Sequence, residues 1–185
     1  MLLARDKSQL LIVDVQERLL PAMADPERVV ASCVRLVRAA RALQVPITIS
    51  EQYPRGLGPT VEPLRQALDY AGSVVEKVEF SCLNSEPLRE RLHELRRQGR
   101  SQVVVGGIEA HVCVAQTAID LEEHGFEAFV VADAVSSRAK TSRKLALARL
   151  LKSGADVVDS EMVLFEWLGK AGTPEFKELQ ALVKE

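Results

Sequence analysis

Cysteine, histidine and aromatic residues are scarce in this 185-residue chain, and no apolar run approaches the length of a membrane span. The three cysteines, Cys33, Cys82 and Cys113, are an odd number, far apart, with no CxxC pair. That argues against a disulfide framework or a zinc knuckle and for a reducing compartment. Histidine occurs only at 93, 111 and 124. One tryptophan, two tyrosines and five phenylalanines leave few stacking platforms for single-stranded nucleic acid. Positive charge is also lacking: 24 basic residues stand against 26 acidic ones, net −2, with no stripe suited to displacing counterions from a phosphate backbone. The apolar stretch before Asp14 is too short for a transmembrane helix or a signal peptide. The expectation is a cytoplasmic protein with no membrane and no nucleic-acid partner.

What is present fits one α/β domain spanning 1–185. The chain is 47% hydrophobic and 27% charged, enough to bury a core and keep a charged surface. Short β-branched runs at 9–13, 46–50, 73–78, 102–105, 128–131 and 155–158 read as strands. Several are apolar on both faces, as in a parallel sheet covered on each side. Helical patterns alternate with them at 27–43, 86–97, 112–124 and 141–152. The first is expected to bury Val30, Val34, Val37 and Ala40. A last helix begins at Thr173-Pro174, with proline at its first position. The one long irregular segment, 51–63, is expected to be functional or mobile. Six strands alternating with helices predict a three-layer α-β-α sandwich around an open, mainly parallel six-stranded sheet.

Ligands in such sheets bind at the carboxyl ends of the strands, where strand order reverses. Asp14 closes the first strand, Lys77 lies late in the third and Cys113 follows the fourth. Each has a plainer reading alone: a capping carboxylate, a surface lysine, a small buried hydrophobe. Together they supply a nucleophile, a carboxylate and a cation at one sheet edge. A helix N-terminus beside Cys113 would favour the thiolate and its N–H groups could hold an oxyanion, and the Lys77 ammonium would also favour the thiolate. Asp14 would exchange the proton.

These residues sit in recognisable motifs. LLIVDVQERL resembles the opening D-x-Q strand of the isochorismatase-like cysteine hydrolases. KVEFSCL resembles their lysine motif K-x-x-x-S-x-F, with Leu83 where an aromatic is usual. VVVGGIEAHVCVAQTAIDLEEHGFEAFVVADAVSSR resembles their cysteine motif and the strand beyond it. The likeness runs from about 9 to 167. EQYPRGLGPTV and GIEA make the short isochorismatase domain-containing proteins the nearest group. The resemblance implies a catalytic triad of Asp14, Lys77 and Cys113, an oxyanion hole at the backbone of Glu109 and Cys113, and a cis peptide at Ile108–Glu109. Nicotinamidases of the family hold a metal through histidines after the second strand. ISEQYPRGLG has none, so neither metal nor other cofactor is expected.

Candidate pocket residues are Gln16, Leu19, Glu51, Gln52, Tyr53, Ile108, Glu109 and His111. The segment at 51–53 also reads as a rigid loop packed on a neighbouring subunit, and His111 as a solvated turn histidine. Asp133 with Ser136 and Ser137 reads as a turn cap. Cys33 reads as core, and Cys82 as core or a partner thiol under oxidation. The expected activity is hydrolysis of a small-molecule amide or, alternatively, a vinyl ether. An idle scaffold of the same fold and a ribonuclease, a label some relatives carry, are the competing readings. Met162, Leu164, Phe165, Trp167 and Leu168 suggest an apolar face and a homo-oligomer, dimer or larger.

Overall fold

The computed structural model describes residues 1–69 and 72–184. Along the chain come β1 (Ser8–Val13), α1 (Pro26–Ala42), β2 (Ile47–Gln52), α2 (Pro54–Leu57), α3 (Glu62–Leu68), β3 (Gly72–Lys77) and α4 (Glu86–Arg97). Then follow β4 (Gln102–Ile108), α5 (Ala115–Glu123), β5 (Glu127–Ser136), α6 (Lys140–Lys152), β6 (Asp156–Val158), α7 (Ser160–Leu168) and α8 (Pro174–Lys184). The strands form one sheet in the order β3-β2-β1-β4-β5-β6, every pair parallel. This is the three-layer architecture expected from alternating strand and helix patterns.

Side chains alternate across each strand, so β1 serves two cores. Leu10 and Ile12 pack with α1, α3, α7 and α8, while Leu11 and Val13 pack with α4, α5 and α6. The buried stripe of α1 is rotated from its expected position. Val29, Cys33, Leu36, Val37 and Ala40 are buried, whereas Val30 and Val34 are only partly covered. Among the described residues no helix is long and apolar enough to cross a membrane.

Three segments depart from the sequence expectation. The stretch after β2 is not a free loop: it contains α2, and Gln16 and Thr60 form an antiparallel bridge across it. Strand β4 runs through Gly106 and Gly107, which look like breakers in the sequence, because Gly107 pairs with Val13 at φ 120°. A Cβ there would lie 2.1 Å from the Val13 carbonyl oxygen, so only glycine allows this approach. Strand β5 continues past Asp133 to Ser136, with its register slipping against β4 between Val105 and Gly107. Carbonyls freed at this irregularity accept from two distant arginines: Arg28 reaches Val135 at 3.2 Å, and Arg143 reaches the same oxygen at 3.0 Å. Asp133 therefore caps no turn. It ties helices to the sheet by accepting from Ser32 Oγ at 2.9 Å and Ser160 N at 2.8 Å.

Candidate active site

Strands β1, β2 and β3 lie progressively to one side, and β4, β5 and β6 to the other, so strand order reverses between β1 and β4. Asp14 leaves the end of β1 with φ 54°, and Cys113 lies in the wide turn Ala110–Val114 between β4 and α5. In that turn Val114 N–H reaches back five residues to the Glu109 carbonyl at 3.2 Å. The Ile108–Glu109 peptide just before it is cis. Cys113 is 6% exposed and Asp14 fully buried.

Lys77 starts two strands away from Asp14, about 10 Å at ordinary strand spacing. Its extended side chain crosses β2, and Nζ lies 2.7 Å from Asp14 Oδ2 with both side chains inaccessible to solvent. An ammonium has three N–H donors. All three are occupied: Nζ also donates to Gln52 Oε1 at 2.7 Å and the Glu79 carbonyl at 3.0 Å. The other oxygen of Asp14 accepts from Ser50 Oγ at 2.7 Å. The ion pair is thus buried and fully hydrogen-bonded, the condition for holding charge away from water.

The thiol state differs from the sequence expectation. Burial first, then the charge of Asp14, push the Cys113 thiol up to about 12, with Lys77 pulling the other way and a hydrogen bond to Asp14 adding to the rise. The lysine charge is already matched by Asp14, so little is left to stabilise a thiolate. Cys113 is thus held as a thiol beside the Asp14 carboxylate. Cys82 joins the same cluster, raised to about 11 by burial and Asp14.

The expected pocket residues divide. Gln16 is fully buried, donating to the Gln52 and Gly58 carbonyls at 2.9 and 2.7 Å and accepting from Gln52 N at 2.7 Å. Glu51 accepts from Thr60 N at 2.6 Å and Thr60 Oγ1 at 2.7 Å. Both pin the segment after β2 rather than wall a pocket, so that segment is anchored at its base. Ile108 is core and presents only its backbone, and Leu19 packs against the core of α1. Gln52 holds Lys77. Tyr53 projects into solvent and lines a cleft of about 570 Å³ with Arg55, Glu76, Lys77, Glu79 and Glu86. At the turn that carries Cys113, Glu109 accepts from Arg138 N and Nε at 3.0 and 3.1 Å, while His111 Nδ1 lies 2.9 Å from Ser137 Oγ. Ser50 and Arg138 were not singled out from sequence. Ser50 could have been, since two residues before Gln52 on a strand means the same face.

Among the described residues, no three His, Cys, Asp or Glu side chains are grouped so as to hold a metal ion. At the end of β2, Glu51 is committed to Thr60 and Gln52 to Lys77, and Tyr53 just beyond it is exposed.

The family model described as Isochorismatase domain matches residues 8–162. Isochorismatase domain-containing protein 2A of Mus musculus is 37% identical over 180 residues, 97% of this chain and 84% of that protein. Among solved structures, the MAR1 ribonuclease of Caenorhabditis elegans superposes with a TM-score of 0.92 at 35% identity, covering 100% of this chain and 93% of that one. The YcaC gene product of Escherichia coli, an octameric hydrolase of unknown specificity, shares the fold with a TM-score of 0.88 at 23% identity, covering 98% and 90%.

Proposed function

This chain belongs to the isochorismatase domain family, and from that premise we propose that it is a single-domain, metal-independent cysteine hydrolase of small-molecule amides. The observation that carries the reading is the buried, fully hydrogen-bonded Asp14–Lys77 pair at the strand-order switch, with the Cys113 thiol close enough for both charges to shift it. In this reading Asp14 takes the thiol proton as sulfur attacks the amide carbonyl. Backbone N–H groups of Glu109 and Cys113 receive the oxyanion. Asp14 returns the proton to the departing nitrogen, leaving a thioester on Cys113. Water, deprotonated by Asp14, then attacks the thioester, releasing the acid and restoring the thiol. Lys77, with all its donors used, orients Asp14 and does not bind substrate. The unpaired thiols suit a reducing, cytoplasmic setting, and the octameric relative supports a homo-oligomer.

The test is ammonia release from a panel of small aliphatic and aromatic primary amides, with intact mass recorded during turnover. An acyl adduct on Cys113, and loss of both adduct and turnover in Cys113→Ser, are expected. Turnover undiminished in Cys113→Ser would end the proposal. The relative named as a ribonuclease is a reason to assay RNA cleavage on the same samples. Cleavage that survives Cys113→Ser would point to a different activity on this fold.

A further inference from the structure

Strand β2 lies between β1, which carries Asp14, and β3, which carries Lys77, and the ion pair spans it. Residues two apart on a strand face the same way. Ser50 and Gln52 therefore share one face of β2, and it is the face the lysine side chain crosses. Ser50 is completely buried and donates to Asp14 Oδ1 at 2.7 Å; Gln52 presents its carbonyl oxygen to Lys77 Nζ at 2.7 Å. The amide end of Gln52 donates to the Val78 carbonyl at 2.9 Å, and its own N–H donates to Gln16 Oε1 at 2.7 Å, so the side chain is fixed at both ends. On the opposite face Glu51 is turned to Thr60.

We propose that Ser50 and Gln52 are positioning residues for the acid–base pair: Ser50 fixes the Asp14 carboxylate so that it meets the Cys113 thiol, and Gln52 holds the Lys77 ammonium against it. The inference rests on the hydrolase reading above for its catalytic meaning. A carboxylate has lone pairs for several donors. Ser50 occupies one oxygen and Lys77 the other. The thiol thus meets a carboxylate whose orientation is already set. Remove the hydroxyl and the carboxylate, short of one donor, binds the thiol proton more tightly. Three charged or titratable groups face Asp14: Lys77 from β3, Cys82 from the turn after β3, and Cys113 itself. Ser50 also lies within hydrogen-bonding reach of Cys82. A Cys82→Ala background separates that contact from the one to Asp14.

The experiment is the pH profile of Cys113 alkylation by iodoacetamide, read peptide by peptide so that the three thiols are resolved. In Ser50→Ala the Cys113 rate at pH 9 is expected to fall roughly tenfold, equivalent to one pH unit in proton affinity. Ser50→Thr, which keeps the hydroxyl, is expected to restore it. In an Asp14→Asn background the Ser50→Ala effect should shrink to under about twofold, because the coupled partner is gone. Gln52→Met, at a half-exposed position, should slow alkylation in the same direction and serves where Ser50→Ala fails to fold. Profiles of both variants superimposing on the parent's in folded protein would overturn the proposal. So would a Ser50→Ala effect that persists undiminished in Asp14→Asn. Alkylation needs no amide substrate, so this outcome is separable from failure of the hydrolase reading, which ammonia release alone decides.

Discussion

At the scale of single residues, the proposed hydrolase mechanism separates two properties usually expected together, a reactive thiol and a catalytic one. In that mechanism Asp14 both holds the proton on Cys113 and supplies the base that removes it when an electrophile arrives. Replacing it with Asn should therefore move two measurements in opposite directions. Without the carboxylate charge and its hydrogen bond, the thiol falls from about 12 toward its ordinary 9.0, so alkylation at pH 9 should quicken. Amide turnover should drop by about 10²–10⁴-fold, because nothing then protonates the leaving nitrogen. A variant slow in both assays would mean that Asp14 acts only through folding. Lys77→Met should do the reverse to the thiol, slowing alkylation, since the lysine charge is what lowers its proton affinity. An unchanged profile would remove Lys77 from the site chemistry.

At the scale of elements, the strands and most helices were legible because apolar periodicity is local, and so were the three motifs, each a short run with a reactive residue at a strand end. The extensions of β4 and β5 were not. Gly106-Gly107 lies past the expected end of its strand until β1 is seen packed against it, and Asp133 reads as a cap until Ser32 and Ser160 arrive from other parts of the chain. The roles of Gln16 and Glu51 were hidden for the same reason, since their partners Gly58 and Thr60 become neighbours only on folding. The raised thiol of Cys113 was not legible, because sequence shows a helix start and a lysine but neither the burial of the sulfur nor the Asp14 charge that opposes that lysine. Gly107 offers a direct test of element packing. A Cβ would come within 2.1 Å of the Val13 carbonyl oxygen and 2.6 Å of Val13 N, at a φ that L side chains rarely adopt. Gly107→Ala should cost on the order of 3 kcal/mol or more from overpacking and backbone strain. The measurement is the urea midpoint at constant m-value. A loss under about 1 kcal/mol, within the ordinary range for a point mutation, would show that β1 and β4 can part without consequence.

At the scale of the whole molecule, the surface and the buried thiols each set a solution property. The expected apolar C-terminal face is half consumed: Leu164 and Trp167 are core, with Trp167 Nε1 donating to Ser8 Oγ at 2.9 Å. Met162 and Phe165 stay 51% and 41% exposed, lining with Leu2 and Leu3 a groove of about 490 Å³. An apolar patch of this kind marks an interaction surface, and light scattering should give a dimer or larger species that Phe165→Glu weakens. A 20.4 kDa particle at micromolar concentration would refute it. The thiols bear on pH. Cys33, Cys82 and Cys113 are held at about 12, 11 and 12 against an ordinary 9.0, burial being the first cause in each. Each therefore keeps its proton to higher pH in the folded chain than in the unfolded one. Between pH 9 and 12 the native state binds more protons, so stability falls as pH rises. Their contribution is present in full below pH 9 and is lost as pH climbs through 11 to 12. Cys33 isolates the effect, because it lies on the buried face of α1, away from the candidate active site. Cys33→Ala should lower the urea midpoint at pH 8 by leaving a small cavity, yet make the decline from pH 9 to 11 shallower than in the parent. Equal slopes would mean that the Cys33 thiol ionises alike in both states and that its burial does not govern alkaline stability.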